Sequence, residues 1–171
     1  MVRAGRIRVA LVSLLAGLLA SVAATGCSSN SHRAVSCASG VDCVRVTVAG
    51  AVTGTLTTTS PPGNSGPECA VQKGPPSAWS SRQYGAMDGH RWLLAVQVPG
   101  YRSPGEYPAT VTLSDLSAGA AGNTYVGQGT TLVGSGATVA DVFGQLKHVG
   151  TSSRRLSIGG TISCKSLAAS L

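Results

Sequence analysis

The stretch Cys43-Val-Arg-Val-Thr-Val-Ala-Gly-Ala-Val-Thr-Gly-Thr-Leu-Thr57 decides the fold class. Val44, Val46, Val48, Gly50, Val52, Gly54 and Leu56 fall on one parity, and Arg45, Thr47, Thr53, Thr55 and Thr57 on the other. A helix would repeat its apolar stripe about every 3.6 residues; a period of two with β-branched residues marks a strand with one buried face. The phase never slips, which restricts the turn. A two-residue turn at Gly50-Ala51 would set Val48 opposite Thr53 and mix the faces. A three-residue loop, Ala49–Ala51, sets Val48 opposite Val52 and Val44 opposite Leu56. The segment is either that hairpin, which we favour, or one long strand bent at its glycines.

The alternation recurs downstream. Trp92, Leu94, Val96 and Val98 run to Pro99-Gly100, and Tyr107, Ala109, Val111 and Leu113 follow the Ser103-Pro104-Gly105 turn. Thr124–Val126 and Thr130–Val133 are shorter candidates. Val142, Phe143, Leu146 and Val149 also fit a helical face, but Val139, Gly144 and the flanking turns favour a strand. Leu156, Ile158, Gly160, Ile162 and Cys164 make the last one. Seven or eight short strands divided by Gly- and Pro-rich turns predict an all-β domain, an antiparallel β-sandwich over residues 39–171.

Between Ser60 and His90 the pattern breaks at Pro61-Pro62-Gly63, Gly66-Pro67 and Gly74-Pro75-Pro76, so residues 60–90 read as a long loop. It carries Trp79, Tyr84 and Met87, with Tyr101 beyond it. Trp79, Tyr84 and Tyr101 are the candidate ligand-binding residues, as rings that stack on a sugar or anchor a protein. Alternatively they fold back and cap one end of the sandwich.

At the N-terminus, Arg3, Arg6 and Arg8 precede the uncharged apolar run Val9–Ala24. That run is shorter than the roughly 18 residues of a membrane-spanning helix and has the layout of a signal peptide. Ala24-Thr-Gly-Cys27 completes it as a bacterial lipobox. The expectation is a leader, residues 1–26, removed before Cys27, with fatty acid on that thiol. Residues 27–38 then form a Ser-rich flexible tether. One acyl chain binds a membrane only marginally, whereas two or three on one cysteine would hold the protein to the cell membrane, on its extracytoplasmic face.

Cysteine parity agrees with this address. Five cysteines would leave one unpaired in an oxidising compartment, but without Cys27 an even set remains: Cys37, Cys43, Cys69 and Cys164. Three connectivities are open. Cys164 shares the inward parity of Ile158 and Ile162, and Cys69 lies in the long loop, so we expect Cys69–Cys164 with a local Cys37–Cys43 ring. No Cys-x-x-Cys spacing points to zinc, and no metal or other cofactor is expected.

Thirteen Lys and Arg, less three in the leader, leave ten against six acidic residues, about +4 on the mature chain. This excess is scattered and lacks the basic, aromatic-studded face of a nucleic-acid binder. A cell-wall polymer or an envelope protein is the partner that this address offers.

Catalytic signatures are sparse. Asp88-Gly-His90 places a carboxylate near an imidazole, yet names no nucleophile, and an Asp-capped turn with a solvated His explains it equally well. His148 reads as a surface residue. The acids Asp42, Glu68, Asp88, Glu106, Asp115 and Asp141 do not cluster in sequence, and no Gly-x-Ser-x-Gly elbow occurs. The expectation is a non-enzymatic display or interaction module of the cell envelope, or else a carbohydrate- or small-ligand-binding lipoprotein using the 60–90 loop.

Lipobox, Ser-rich tether and the closing Gly160-Thr-Ile-Ser-Cys164 together resemble small actinobacterial lipoproteins. The chain is similar in this to the mycobacterial 19 kDa lipoprotein antigen group, which also ends in an alternating strand closing on a cysteine. The 60–90 segment has no counterpart there. The resemblance implies an envelope location and a β fold, and no reaction.

Overall fold

The computed structural model describes residues 37–59, 68–117 and 122–168. The leader, Cys27, nearly all of the tether and residues 60–67 of the expected loop lie outside the described residues.

Ten strands follow in order: β1 (Cys43–Gly50), β2 (Gly54–Thr58), β3 (Glu68–Gln72), β4 (Ala78–Met87), β5 (His90–Pro99), β6 (Gly105–Asp115), β7 (Thr124–Val133), β8 (Val139–His148), β9 (Thr151–Ser163) and β10 (Leu167–Ala168). The all-β class stands, but the architecture is corrected from sandwich to barrel: eight strands close into an antiparallel ring. β9 pairs with both β8 and β1, and β4 with both β5 and β2, so no seam is left between first and last strands. Alternation could not have decided this. A strand with one buried face looks the same in either fold, and closure depends only on which strands pair.

β3 and β10 stand outside the ring. β3 lies along the first half of β4 (Cys69 opposite Ser81), where β2 covers only the second half (Thr57 opposite Ala86), and β10 runs parallel to β3. Two strands therefore occupy the segment expected to be a long loop. The period escaped notice in β4 because its inward positions are Trp79, Ser81, Gln83, Gly85 and Met87, polar or bare at three of five. The β1–β2 hairpin is present with a longer turn: Val48 faces Gly54 and Val46 faces Leu56, two residues on from the expected register. Slipping by two preserves the parity, so the buried face is unchanged. The two short candidates at 124–133 are one strand, β7, whose centre is obscured by Gly127 and Gly129.

Those glycines have a packing reason. A Cβ on Gly129 would overlap the carbonyl oxygen of Phe143 on β8, and Gly129 pairs directly with Gly144. The missing side chains let the wall bend tightly, as a small barrel requires.

An eight-stranded barrel leaves an interior just wide enough for side chains. Val44, Val46 and Val48 meet Leu94, Val96, Val111, Leu113, Val142, Leu146, Leu156 and Ile162 there, all buried. One end, the base, is plugged. The fully buried Trp79 donates its indole N–H to the carbonyl of Ala137 at 2.8 Å, within the short 3-10 turn Ser135–Ala137. Beside it Cys69 is bonded to Cys164, and Cys37 is bonded to Cys43 at the start of β1. Gln83 and Ser81 form a small polar cluster on the buried disulfide, with Gln83 Nε2 3.0 Å from Cys164 Sγ and 3.0 Å from Ser81 Oγ. The hydroxyl of Ser163 shares its one proton between the carbonyls of Ala38 and Val41, fastening the entering chain to the end of β9.

Candidate functional site

The barrel's other end, the mouth, is formed where β1, β4, β6 and β8 finish and β2, β5, β7 and β9 begin. β4 and β5 are joined there by Asp88-Gly89, which have φ of 53° and 73°. Two successive left-handed residues make the tight turn whose twist matches a hairpin, and Asp-Gly is its favoured pair. The turn sets Met87 opposite His90 and starts β5 with the imidazole at the rim.

His90 does not turn back to Asp88. Its Nδ1 lies 2.9 Å from Oδ2 of Asp115, at the end of β6; the His90 side chain is 52% exposed and that of Asp115 only 1%. The other carboxylate oxygen of Asp115 accepts the backbone N–H of Ser117 at 2.8 Å. A buried carboxylate needs such partners, and each fixes its orientation. In the neutral imidazole, donation of Nδ1–H to Asp115 leaves the lone pair on the second ring nitrogen, Nε2.

Asn123 follows in the same layer. Its backbone carbonyl accepts the N–H of Asp115, and its Oδ1 accepts Nη1 of Arg154 at 2.9 Å. Arginine only donates, so the oxygen must face it and the amide NH2 is left to face elsewhere. The Arg154 guanidinium also rests over the Tyr125 ring at 5.8 Å, and Tyr125 meets His148 edge-on at 5.2 Å. His148 is thus part of the mouth wall rather than a free surface residue.

His90, Asp115 and Asn123 line a half-open cavity of about 380 Å³ at the mouth, together with Val52, Thr53, Asp88 and Trp92 among others. Its size falls in the range of small-molecule sites, and barrel mouths are a common place for them. An imidazole oriented by a buried carboxylate is also two-thirds of a hydrolytic triad. The hydroxyl at hand is that of Thr53, however, and it bonds to the backbone of Gly50 rather than to His90. Among the described residues no group of three or more His, Cys, Asp or Glu could hold a metal ion. Among the same residues no helix is long and apolar enough to cross a membrane.

The aromatic residues read as a contact surface are elsewhere. Trp79 plugs the base, Tyr84 is buried midway along β4, and Tyr101 is buried with its ring 5.5 Å from that of Tyr107. Two of the three lie on a strand and all are buried, which corrects the reading of a loop that presents them. The physical reason for Trp79 is its inward parity on β4. Burial and the neighbouring Tyr107 raise the pKa of the Tyr101 phenol. That of Tyr107 is lowered, chiefly by the Ser103 backbone N–H directed at its oxygen, with the Arg102 N–H adding to it.

The partnership of His90 and Asp115 was missed because the residues are 25 apart in sequence. A signal for it exists: Asp115 extends the inward series Ala109, Val111, Leu113, and a carboxylate on the buried parity of a strand must find a partner.

No family model matches the chain, and neither a curated protein nor a solved structure matches it.

Proposed function

We propose that the protein is a non-enzymatic interaction module of the bacterial cell envelope, carried on acyl chains at Cys27 on the extracytoplasmic face of the cell membrane, and that its barrel binds a small molecule at the mouth. The observation that carries the binding reading is the roughly 380 Å³ cavity beside an imidazole held in one orientation by a buried carboxylate. Orienting a half-exposed ring in this way costs burial of a charge, and it is useful where the ring must meet a ligand. The two disulfides support the compartment, since such bonds persist in oxidising surroundings.

Metabolic labelling with palmitate tests the anchor. Label should enter the wild type and be lost in Cys27→Ala, and equal labelling of both would remove the lipid from the account. Native mass spectrometry of protein taken from its own membranes tests the mouth. A small molecule should accompany the wild type and be depleted in Asn123→Leu. Equal retention by both proteins would place the binding elsewhere.

A further inference from the structure

We infer that the mouth recognises a neutral, polyhydroxylated ligand, a saccharide unit, and discriminates against anions and amines. The inference rests on the mouth being a binding site and adds the chemical class of what enters it.

Three polar groups at the mouth leave hydrogen-bonding roles open to a ligand. As the neutral imidazole, with Nδ1–H committed to Asp115, His90 offers the Nε2 lone pair. Asp88 offers a carboxylate, which only accepts. Asn123 offers two N–H donors, because its oxygen is committed to Arg154. Among these polar groups the cavity therefore presents two acceptors and one donor group, over an apolar margin of Val52, Met87 and Trp92.

Of these three groups a phosphate or carboxylate could use only the Asn123 amide, and its oxygens would face the Asp88 carboxylate and the His90 lone pair. An ammonium could use both acceptors but would leave the Asn123 donors unmet. A hydroxyl both donates and accepts, so adjacent hydroxyls on a sugar ring satisfy all three groups, while the C–H face of the ring lies on the apolar margin. Asp115, whose carboxylate is buried, is a positioning residue that acts by fixing the tautomer of His90.

The test uses the mature lipidated protein in detergent, with ¹⁵N and ¹H shifts read at Gly89, at Asn123 and at the Trp92 indole. Three sets of probes are compared: pentoses and hexoses with their methyl glycosides, inorganic phosphate, and ethanolamine. The sugars are expected to move the mouth resonances and to leave the Trp79 indole at the base unmoved. Binding of the methyl glycosides as well as the free sugars would identify the terminal residue of a larger glycan; binding of free sugars alone would identify a solute. Either result supports the inference.

Asn123→Leu should weaken sugar binding about tenfold, the loss of a hydrogen bond with its partner left unmet. Asp115→Asn is the sharper variant. Its side chain keeps an oxygen for Ser117 N–H and turns an NH2 toward His90 Nδ1, which moves the ring proton to Nε2. The His90 ¹⁵N shifts should exchange their pattern, sugar affinity should fall, and phosphate should begin to bind. A wild type that answers to phosphate or ethanolamine and not to sugars overturns the ligand class while leaving a binding site. No response at the mouth to any of the three sets overturns the binding reading itself.

Discussion

Removing the Cys69–Cys164 bond tests how the barrel is held at its base. It spans 95 residues of sequence, whereas Cys37–Cys43 spans 6. In the chain-entropy treatment the long bond restricts the unfolded chain by about 4.7 kcal/mol and the short one by about 2 kcal/mol. Both sulfurs of the long bond are fully buried, and Cys164 Sγ is a partner of Gln83 Nε2. Cys69→Ala with Cys164→Ala therefore also leaves a small void and an unmet donor, about 1–2 kcal/mol more. The expected total of roughly 6 kcal/mol is comparable with the whole stability of an ordinary domain. The paired variant Cys37→Ala with Cys43→Ala should cost about a third as much. Guanidinium unfolding of wild type and both paired variants measures the difference through midpoint and slope. If the Cys69/Cys164 pair costs no more than the Cys37/Cys43 pair, loop length is not what stabilises this barrel, and the reasoning fails.

Gly129→Ala should destabilise by about 2 kcal/mol or more, because the new methyl meets the Phe143 carbonyl in the bent wall. Gly89→Ala, at φ 73° in open space, should cost only about 1 kcal/mol of backbone strain; thermal unfolding of the two ranks them. Trp79→Phe should lose about 1–3 kcal/mol, because the Ala137 carbonyl at the plugged base loses its indole donor; calorimetry reads this directly. In an alkaline titration followed by phenolate absorbance, Tyr107 should ionise before Tyr101, and Tyr107→Phe should remove the early component. The signs follow by linkage. Tyr101, with its folded pKa raised, adds stability that is present below the unfolded tyrosine value and lost as pH rises through the folded one. Tyr107, with its folded pKa lowered, adds stability that is present above the unfolded value and lost as pH falls through the folded one.

Strand content was legible wherever the inward positions were uniformly apolar. β1, β5, β6 and β9 could be read directly from their Val, Leu and Ile parity. β4 was hidden because Ser81 and Gln83 point inward, next to a disulfide that no local pattern announces. β7 looked like two fragments because Gly127 and Gly129 serve curvature rather than packing. Barrel closure was invisible in principle, since it lies in the pairing of β9 with β1 and of β4 with β2, which are distant in the chain. The mouth was half legible. Asp88-Gly89 announced a turn and His90 its neighbour, but the carboxylate that orients His90 comes from the far end of the paired strand β6. Trp79 shows the opposite error. A large ring between prolines and glycines suggested display, and its strand parity sends it into the core.

The chain enters the barrel at the base, where Cys37 is bonded to Cys43 and Ser163 clasps Ala38 and Val41. β1 then climbs eight residues to the rim. At about 3.3 Å per residue and the tilt usual for such barrels, entry and opening are roughly 20 Å apart along the axis. A fusion partner joined directly before Cys37 is therefore spliced on at the stoppered pole. Surface-immobilised binding assays can be built through that pole without the coupling point itself standing in the doorway.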